Sequence, residues 1–150
     1  MKGTYCLIIE VCEDVKLKVG RLGQLNLKSG FYVYIGSALN SLESRIKRHL
    51  SSEKKLHWHV DYLLLNKKSK IDDVLFAISE DKIECQIADY ISQKGEQIVG
   101  FGCSDCKCNS HLIYFKNSDE AHKNVEDAFK SLDMEIKDLN YLLNLEYWKK

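Results

Sequence analysis

The first long apolar run, residues 4–11 (TYCLIIEV), mixes β-branched, aromatic and aliphatic side chains over a length too short for an ordinary buried helix, which predicts an interior strand. Residues 16–27 (KLKVGRLGQLNL) alternate Leu17, Val19, Leu25 and Leu27 with polar residues around Gly20 and Gly23, the pattern of a hairpin or bulged ribbon. Residues 31–35 predict the next strand. Leu42, Ile46 and Leu50 then recur at helical spacing behind Asn40, which stands where an N-cap belongs, with Glu43 three residues on to complete a capping box. On that helix Ser41, Arg45 and Arg48 share a neighbouring polar face.

Further along, the pattern predicts a helix over 55–66, a strand over 71–78 and a helix over 81–93, capped by Ser79 or Glu80 and ended by Gly95. Short strands over 97–100 and 111–115 flank a Gly/Cys loop, and amphipathic helices follow over 118–130 and 133–148. The alternation has no linker, repeat or low-complexity tract. It predicts one α/β domain: a small mixed or antiparallel β-sheet flanked by α-helices, with an inserted β-ribbon and two C-terminal helices. Residues 1–116 form the expected core and 117–150 a helical extension.

A chain of 150 residues has the length of one compact domain. With 45% hydrophobic and 29% charged residues, and no apolar run near the roughly 20 residues that span a bilayer, neither membrane insertion nor secretion is expected, and the cytoplasm is the expected location. Of six cysteines, Cys6, Cys12 and Cys85 fall in apolar, regular segments where a thiol packs as a small hydrophobe; Cys103, Cys106 and Cys108 cluster. A formal net charge of zero argues against nonspecific coating of nucleic acid, which is driven by phosphate neutralisation. The average hides an asymmetry. Residues 38–60 carry net +3 with three histidines added, and residues 117–150 carry net −3, so a basic patch opposite an acidic face could orient a polyanion. A solvated helix face accounts for the charge alone equally well.

Gly3-Thr4-Tyr5 on the first predicted strand, Tyr34-Ile35-Gly36 ending a later one, Arg45 on the following helix and Glu84 on another resemble the GIY-YIG nuclease superfamily. The ordered series GTY, YVYIGSA, RIKRHL, HWHVDYLL, EC and GFGCSDCKCNSHL more narrowly resembles an archaeal-type, functionally uncharacterised GIY-YIG family, over about residues 3–115. The resemblance implies a GIY-YIG-type fold and a metal-dependent endonuclease that hydrolyses DNA phosphodiester bonds, in repair or in processing unusual DNA structures. It implies Tyr5 as general base, Tyr34 holding the attacking water in line, Arg45 on the scissile phosphate and Glu84 as ligand to Mg²⁺ or Mn²⁺. Expected substrate contacts are Ser37, Arg48, His49 and His57. The implied partners are DNA, with RNA left open, and repair proteins; oligomeric state is left open. Three departures accompany the resemblance, one being that the asparagine that repair-type members place near the end of the module has no assigned counterpart, Asn109 and Asn117 both being candidates. The stretch between the tyrosine motifs is longer than in compact members, and Ser37 stands where repair-type members carry a lysine.

These residue types suit the chemistry. Hydrolysis of a phosphodiester needs a proton acceptor for water, a cation beside the phosphoryl oxygens and stabilisation of the departing oxygen. A phenol with a pKa near 10 accepts a proton near neutrality only where its surroundings favour the phenolate, and a metal and Arg45 are expected to push that way. The guanidinium fork suits phosphate better than an ammonium.

Two further constellations carry alternatives. In HWHVD, His57 and Asp61 share a helical face while His59 points elsewhere, so packing by Trp58 and Tyr62 with a phosphate or carboxylate contact from His57 competes with metal binding. Cys103, Cys106, Cys108 and His111 are tetrahedral Zn²⁺ ligand types, but their spacing is tight, and a reduced thiol-rich turn competes with zinc. Asp105 belongs to the same loop. The rival readings of the whole chain are a noncatalytic nucleic-acid-binding module and a zinc-stabilised interaction domain.

Overall fold

The apolar run near the N-terminus becomes the strand around which everything else is built. In chain order the elements of the computed structural model are β1 (Gly3–Val11), β2 (Val15–Val19), β3 (Gly23–Leu27), β4 (Gly30–Ala38), α1 (Leu42–Leu50), α2 (His59–Leu64), β5 (Ser69–Ile78), α3 (Glu84–Ser92), β6 (Glu96–Gln97), β7 (Leu112–Phe115), α4 (Ser118–Lys130), β8 (Lys137–Asp138) and α5 (Leu139–Leu143). Residues 1–103 and 108–144 are described. Six strands form a sheet of order β6-β7-β4-β1-β5-β8, each neighbouring pair antiparallel, and β2 and β3 form a separate ribbon.

Covered on both faces, β1 needs apolar side chains in both directions, and its period of two divides them. Tyr5, Leu7, Ile9 and Val11 join one core with Tyr32 and Tyr34 of β4, the ribbon's Leu17 and Val19, Leu42 and Ile46 of α1, and Val60 and Leu63 of α2. Cys6 and Ile8 join the other with Val33 and Ile35, Ile87 and Ile91 of α3, and Val125 and Phe129 of α4. The molecule is thus an α/β fold of three layers. No helix among the described residues is long and apolar enough to cross a membrane.

Four expected element boundaries are corrected. Ser41, not Asn40, caps α1, accepting from the Ser44 amide at 3.1 Å, while Glu43 pairs with the N-terminal amine at 2.9 Å instead of closing a capping box. The helix over 55–66 contracts to α2, because Asp61 reaches back to the amides of His57 (2.9 Å) and Trp58 (2.8 Å) and fixes the chain there in a non-helical entry. The helix over 81–93 starts at Glu84 without a side-chain cap, since Ser79 closes a local turn on the Asp81 amide at 3.1 Å. The helix over 133–148 is replaced by β8 and the short α5. Asp133 takes a positive φ of 55° after α4, Met134 and Ile136 pack onto the second core, and Lys137 and Asp138 pair with Phe76 and Leu75 on the open edge of β5. The remainder of that predicted helix, 145–148, lies outside the described residues.

Two motif glycines are explained by close approach. A Cβ on Gly3 would run into the carbonyl oxygen of Ala77 on β5, and one on Gly36 would enter the Tyr5 ring. Tyr5 and Gly36 are register partners, so the ring lies across the one neighbour that has no side chain. Gly36→Ala is expected to destabilise the protein by about 1–3 kcal/mol, as overpacking does, and to change the near-ultraviolet circular dichroism of the tyrosines. Urea unfolding and the native-state spectrum check both.

Candidate active site

Tyr5 faces Gly36 across the β1–β4 ladder, which makes Tyr34 its diagonal neighbour on the same face, with ring centroids 6.5 Å apart. α1 packs over this face and brings His49, only 2% exposed, to the Tyr5 hydroxyl, with Oη 2.6 Å from Nε2. Burial raises the Tyr5 phenol well above its ordinary pKa, Tyr34 adds to the effect, and the opposing influence of Arg45 is smaller. Burial and then the Glu84 charge raise Tyr34 in the same way. Burial, with the Lys54 ammonium as the next contributor, pushes the His49 imidazole down to about 3. All three groups are therefore neutral at rest. Arg45 pushes Tyr5 toward phenolate as expected, but desolvation outweighs it. Among the described residues His49 Nδ1 is buried with no hydrogen-bond partner, so the ring's hydrogen bonding is through Nε2 to Tyr5.

The basic helix resolves into two arginines with different work. Arg45 donates from Nη1 to the Ser37 carbonyl at 3.0 Å and lies 4.5 Å from the Trp58 ring centre. Arg48 also stacks on Trp58, at 4.3 Å, but its fork closes on Asp61 with two 2.9 Å bonds and a third to the Lys55 carbonyl. Asp61 is fully buried. Burial opposes its ionisation, yet the bonds from Arg48, Trp58 and His57 outweigh that and hold the carboxyl below its ordinary range. Its oxygens are thus engaged in structure, and HWHVD is a hydrogen-bonded hub. His57 stacks beside Trp58 at 4.9 Å between centroids, and His59 Nδ1 accepts the Gly102 amide at 2.8 Å.

Glu84 arrives from the opposite layer. As the first residue of α3 it reaches over the end of the sheet, where Oε1 accepts from Ser37 Oγ at 2.9 Å and lies 3.4 Å from Lys82 Nζ, and Oε2 lies 3.7 Å from His111 Nδ1. Its side chain is 14% exposed. Tyr5, Tyr34, Ser37, Arg45, His57 and Glu84 all line one cleft of about 450 Å³, together with Trp58, His59, Lys82 and His111. Arg48 and His49 stand behind that lining. Of the expected substrate contacts, Ser37 and His57 face the cleft, whereas Arg48 and His49 support residues that do.

The cysteine loop divides differently from the expectation. Cys85, Cys108 and His111 form a group that could hold a metal ion, their ligand atoms all within 4.8 Å of one another. Cys103 is not in that group; its Sγ lies 3.4 Å from the Phe101 carbonyl. Asp105 and Cys106 lie outside the described residues. The chain folds Cys85 of α3 against the loop, which no local spacing in the sequence could reveal. Residues 4–134 match the family described as Domain of unknown function DUF123. The chain belongs to the DUF123 family. No curated protein and no solved structure matches it.

Beyond the residues expected from its sequence, the DUF123 cleft contains Trp58, His59 and Lys82. Trp58 and His59 sit inside the HWHVD motif, and Lys82 is two residues before Glu84, so each had a neighbour already singled out. What was missing was the direction in which α2 and α3 approach the sheet.

The buried histidine makes a pH prediction. His49 binds its proton near pH 3 in the folded protein but near pH 6.5 when unfolded, so between these values the unfolded chain binds more protons and stability rises with pH. Acidification from about pH 6.5 should therefore destabilise the protein, with a limiting slope of about 1.4 kcal/mol per pH unit from this group. His59 and His111 are shifted in the same sense and His122 in the opposite one, so His49→Gln should reduce the slope of urea-unfolding free energy between about pH 5 and 6.5 without abolishing it. Asp61, with its lowered pKa, contributes stability that is lost only at lower pH.

Proposed function

We propose that this cleft hydrolyses phosphodiester bonds in DNA with the help of a divalent metal ion, in the manner of a GIY-YIG endonuclease. The observation that supports it is convergence: Tyr5, Tyr34, Arg45 and Glu84, drawn from β1, β4, α1 and α3, line a single polar cleft. Residues chosen on packing grounds alone would have no reason to meet there.

The donor set suits a hard cation. Glu84 offers a carboxylate at the cleft with the Ser37 hydroxyl beside it, and Mg²⁺ commonly takes one or two carboxylates while keeping water and substrate phosphate as its other ligands. Bound by Glu84, Mg²⁺ or Mn²⁺ would supply positive charge to the phosphoryl and departing oxygens. The chain's own residues do the rest. Arg45, braced by Trp58 and the Ser37 carbonyl, binds the scissile phosphate through its guanidinium. Tyr5, held by His49, presents its phenolic oxygen to the attacking water; it passes its own proton to His49 Nε2, 2.6 Å away, and as phenolate takes the proton of the water. Because burial keeps that phenol protonated, the reaction depends on positive charge entering the cleft with the substrate complex. Tyr34 orients the water, and Lys82 and His57 contact flanking phosphates. The role is repair or processing of unusual DNA in the cytoplasm.

Glu84→Gln, Tyr5→Phe and Arg45→Ala are each expected to lower cleavage by about 100-fold or more, the scale of losing one transition-state donor. A panel of plasmid, single-stranded, flapped and branched DNA in Mg²⁺ and Mn²⁺, scored for nicks and for binding, measures this. Glu84→Gln should retain metal-free DNA binding, while Arg45→Ala should lose affinity as well. Binding without cleavage across the panel would favour a noncatalytic module, and cleavage undiminished by all three substitutions would displace the site.

A further inference from the structure

We propose that Cys85, Cys108 and His111 bind a zinc ion that clasps residues 108–111 to the start of α3. Two thiolates and an imidazole are the borderline-soft set that Zn²⁺ prefers and Mg²⁺ does not. A tetrahedral site with Zn–S near 2.3 Å and Zn–N near 2.0 Å has ligand-to-ligand edges of about 3.5–3.8 Å, so a group already within 4.8 Å closes on an ion by movements of about 1 Å.

The three ligands come from separate parts of the fold. Cys85 is the second residue of the nine-residue α3. His111 is held in place by its backbone, its amide donating to the Phe101 carbonyl at 2.8 Å and its carbonyl accepting from Ile35 at 3.0 Å. Cys108 lies three residues before it in the chain. Among the described residues no cysteine pairs in a disulfide, and no fourth side chain of this kind joins the three.

The ion has a consequence for the neighbouring cleft. Cys85 follows Glu84 directly and His111 lies 3.7 Å from the Glu84 carboxylate, so zinc would fix the first turn of α3 relative to the sheet end. The clasp does not depend on the nuclease reading, because its ligands are sulfur and nitrogen and its readout is metal content.

The test is metal analysis of the full chain purified in reductant without chelator, with Co²⁺ titration of the stripped protein as a spectroscopic counterpart. About one zinc per chain and a thiolate-to-Co²⁺ charge-transfer band are expected, with chelation lowering thermal stability. Cys85→Ser and Cys108→Ser should each weaken metal binding by more than about 100-fold, beyond what loss of an outer-sphere partner costs. Cys103→Ser and Glu84→Gln should leave it intact. Should the ligand variants fail to fold, alkylation of the wild-type chain decides: bound zinc should protect Cys85 and Cys108 from iodoacetamide, as peptide mass spectrometry would show. Absence of both zinc and the Co²⁺ band, equal alkylation of Cys85 with and without metal, or zinc that survives Cys85→Ser but is lost from Cys103→Ser would overturn the proposal.

Discussion

The Tyr5 ring lying across Gly36 is the contact from which the site follows. β1 is hydrogen-bonded on both edges, so its register against β4 is set along nine residues and cannot slip without moving every side chain to the wrong face. Within that register a large ring at position 5 requires an empty position at 36. Tyr34 then falls on the diagonal, and α1, seated by Leu42 and Ile46, delivers His49 to the hydroxyl and Arg45 to the cleft. The glycine and tyrosine of the two motifs are thus one packing solution read from two strands.

The cleft joins a neutral interior to a charged rim. Burial disfavours ionisation of Tyr5, Tyr34 and His49, so the floor of the site is two phenols and an imidazole without formal charge. Arg45, Lys82 and Glu84 stand around them with their charges at the cleft. A low-dielectric floor strengthens the field of charges above it, so a phosphate and a cation arriving together would alter the tyrosine's proton affinity far more than they would in water. Desolvation is what keeps these three groups uncharged.

Asp61 organises the wall. Four hydrogen bonds converge on one buried carboxylate: two from Arg48 and one each from the amides of His57 and Trp58. This places Trp58 where both arginines stack on it and turns His57 toward the cleft. Removing the carboxylate would leave a guanidinium and two amides without their acceptor, so the hub is costly to disturb.

By itself the sequence determined what depends on near neighbours. The short apolar run in residues 4–11, the alternation in 16–27 and the helical spacing of Leu42 and Ile46 were sufficient for strand, ribbon and helix, because local patterning reports the element type, although His49 and not Leu50 completes the buried face of α1. The tyrosine motifs, Arg45 and Glu84 were legible as an ordered series. The tertiary structure decided what depends on distant segments meeting. Asp133 and the open edge of β5 turned a predicted long helix into β8 and α5, since an unpaired strand edge outweighs helical propensity. The same is true of Arg48, committed to Asp61 thirteen residues away, and of His49, set behind Tyr5. Cys85 left the ranks of buried thiols because α3 carries it to a loop more than twenty residues later. Patterning encodes the direction a side chain faces within its own element; which charge or ligand waits there is fixed only when the layers pack.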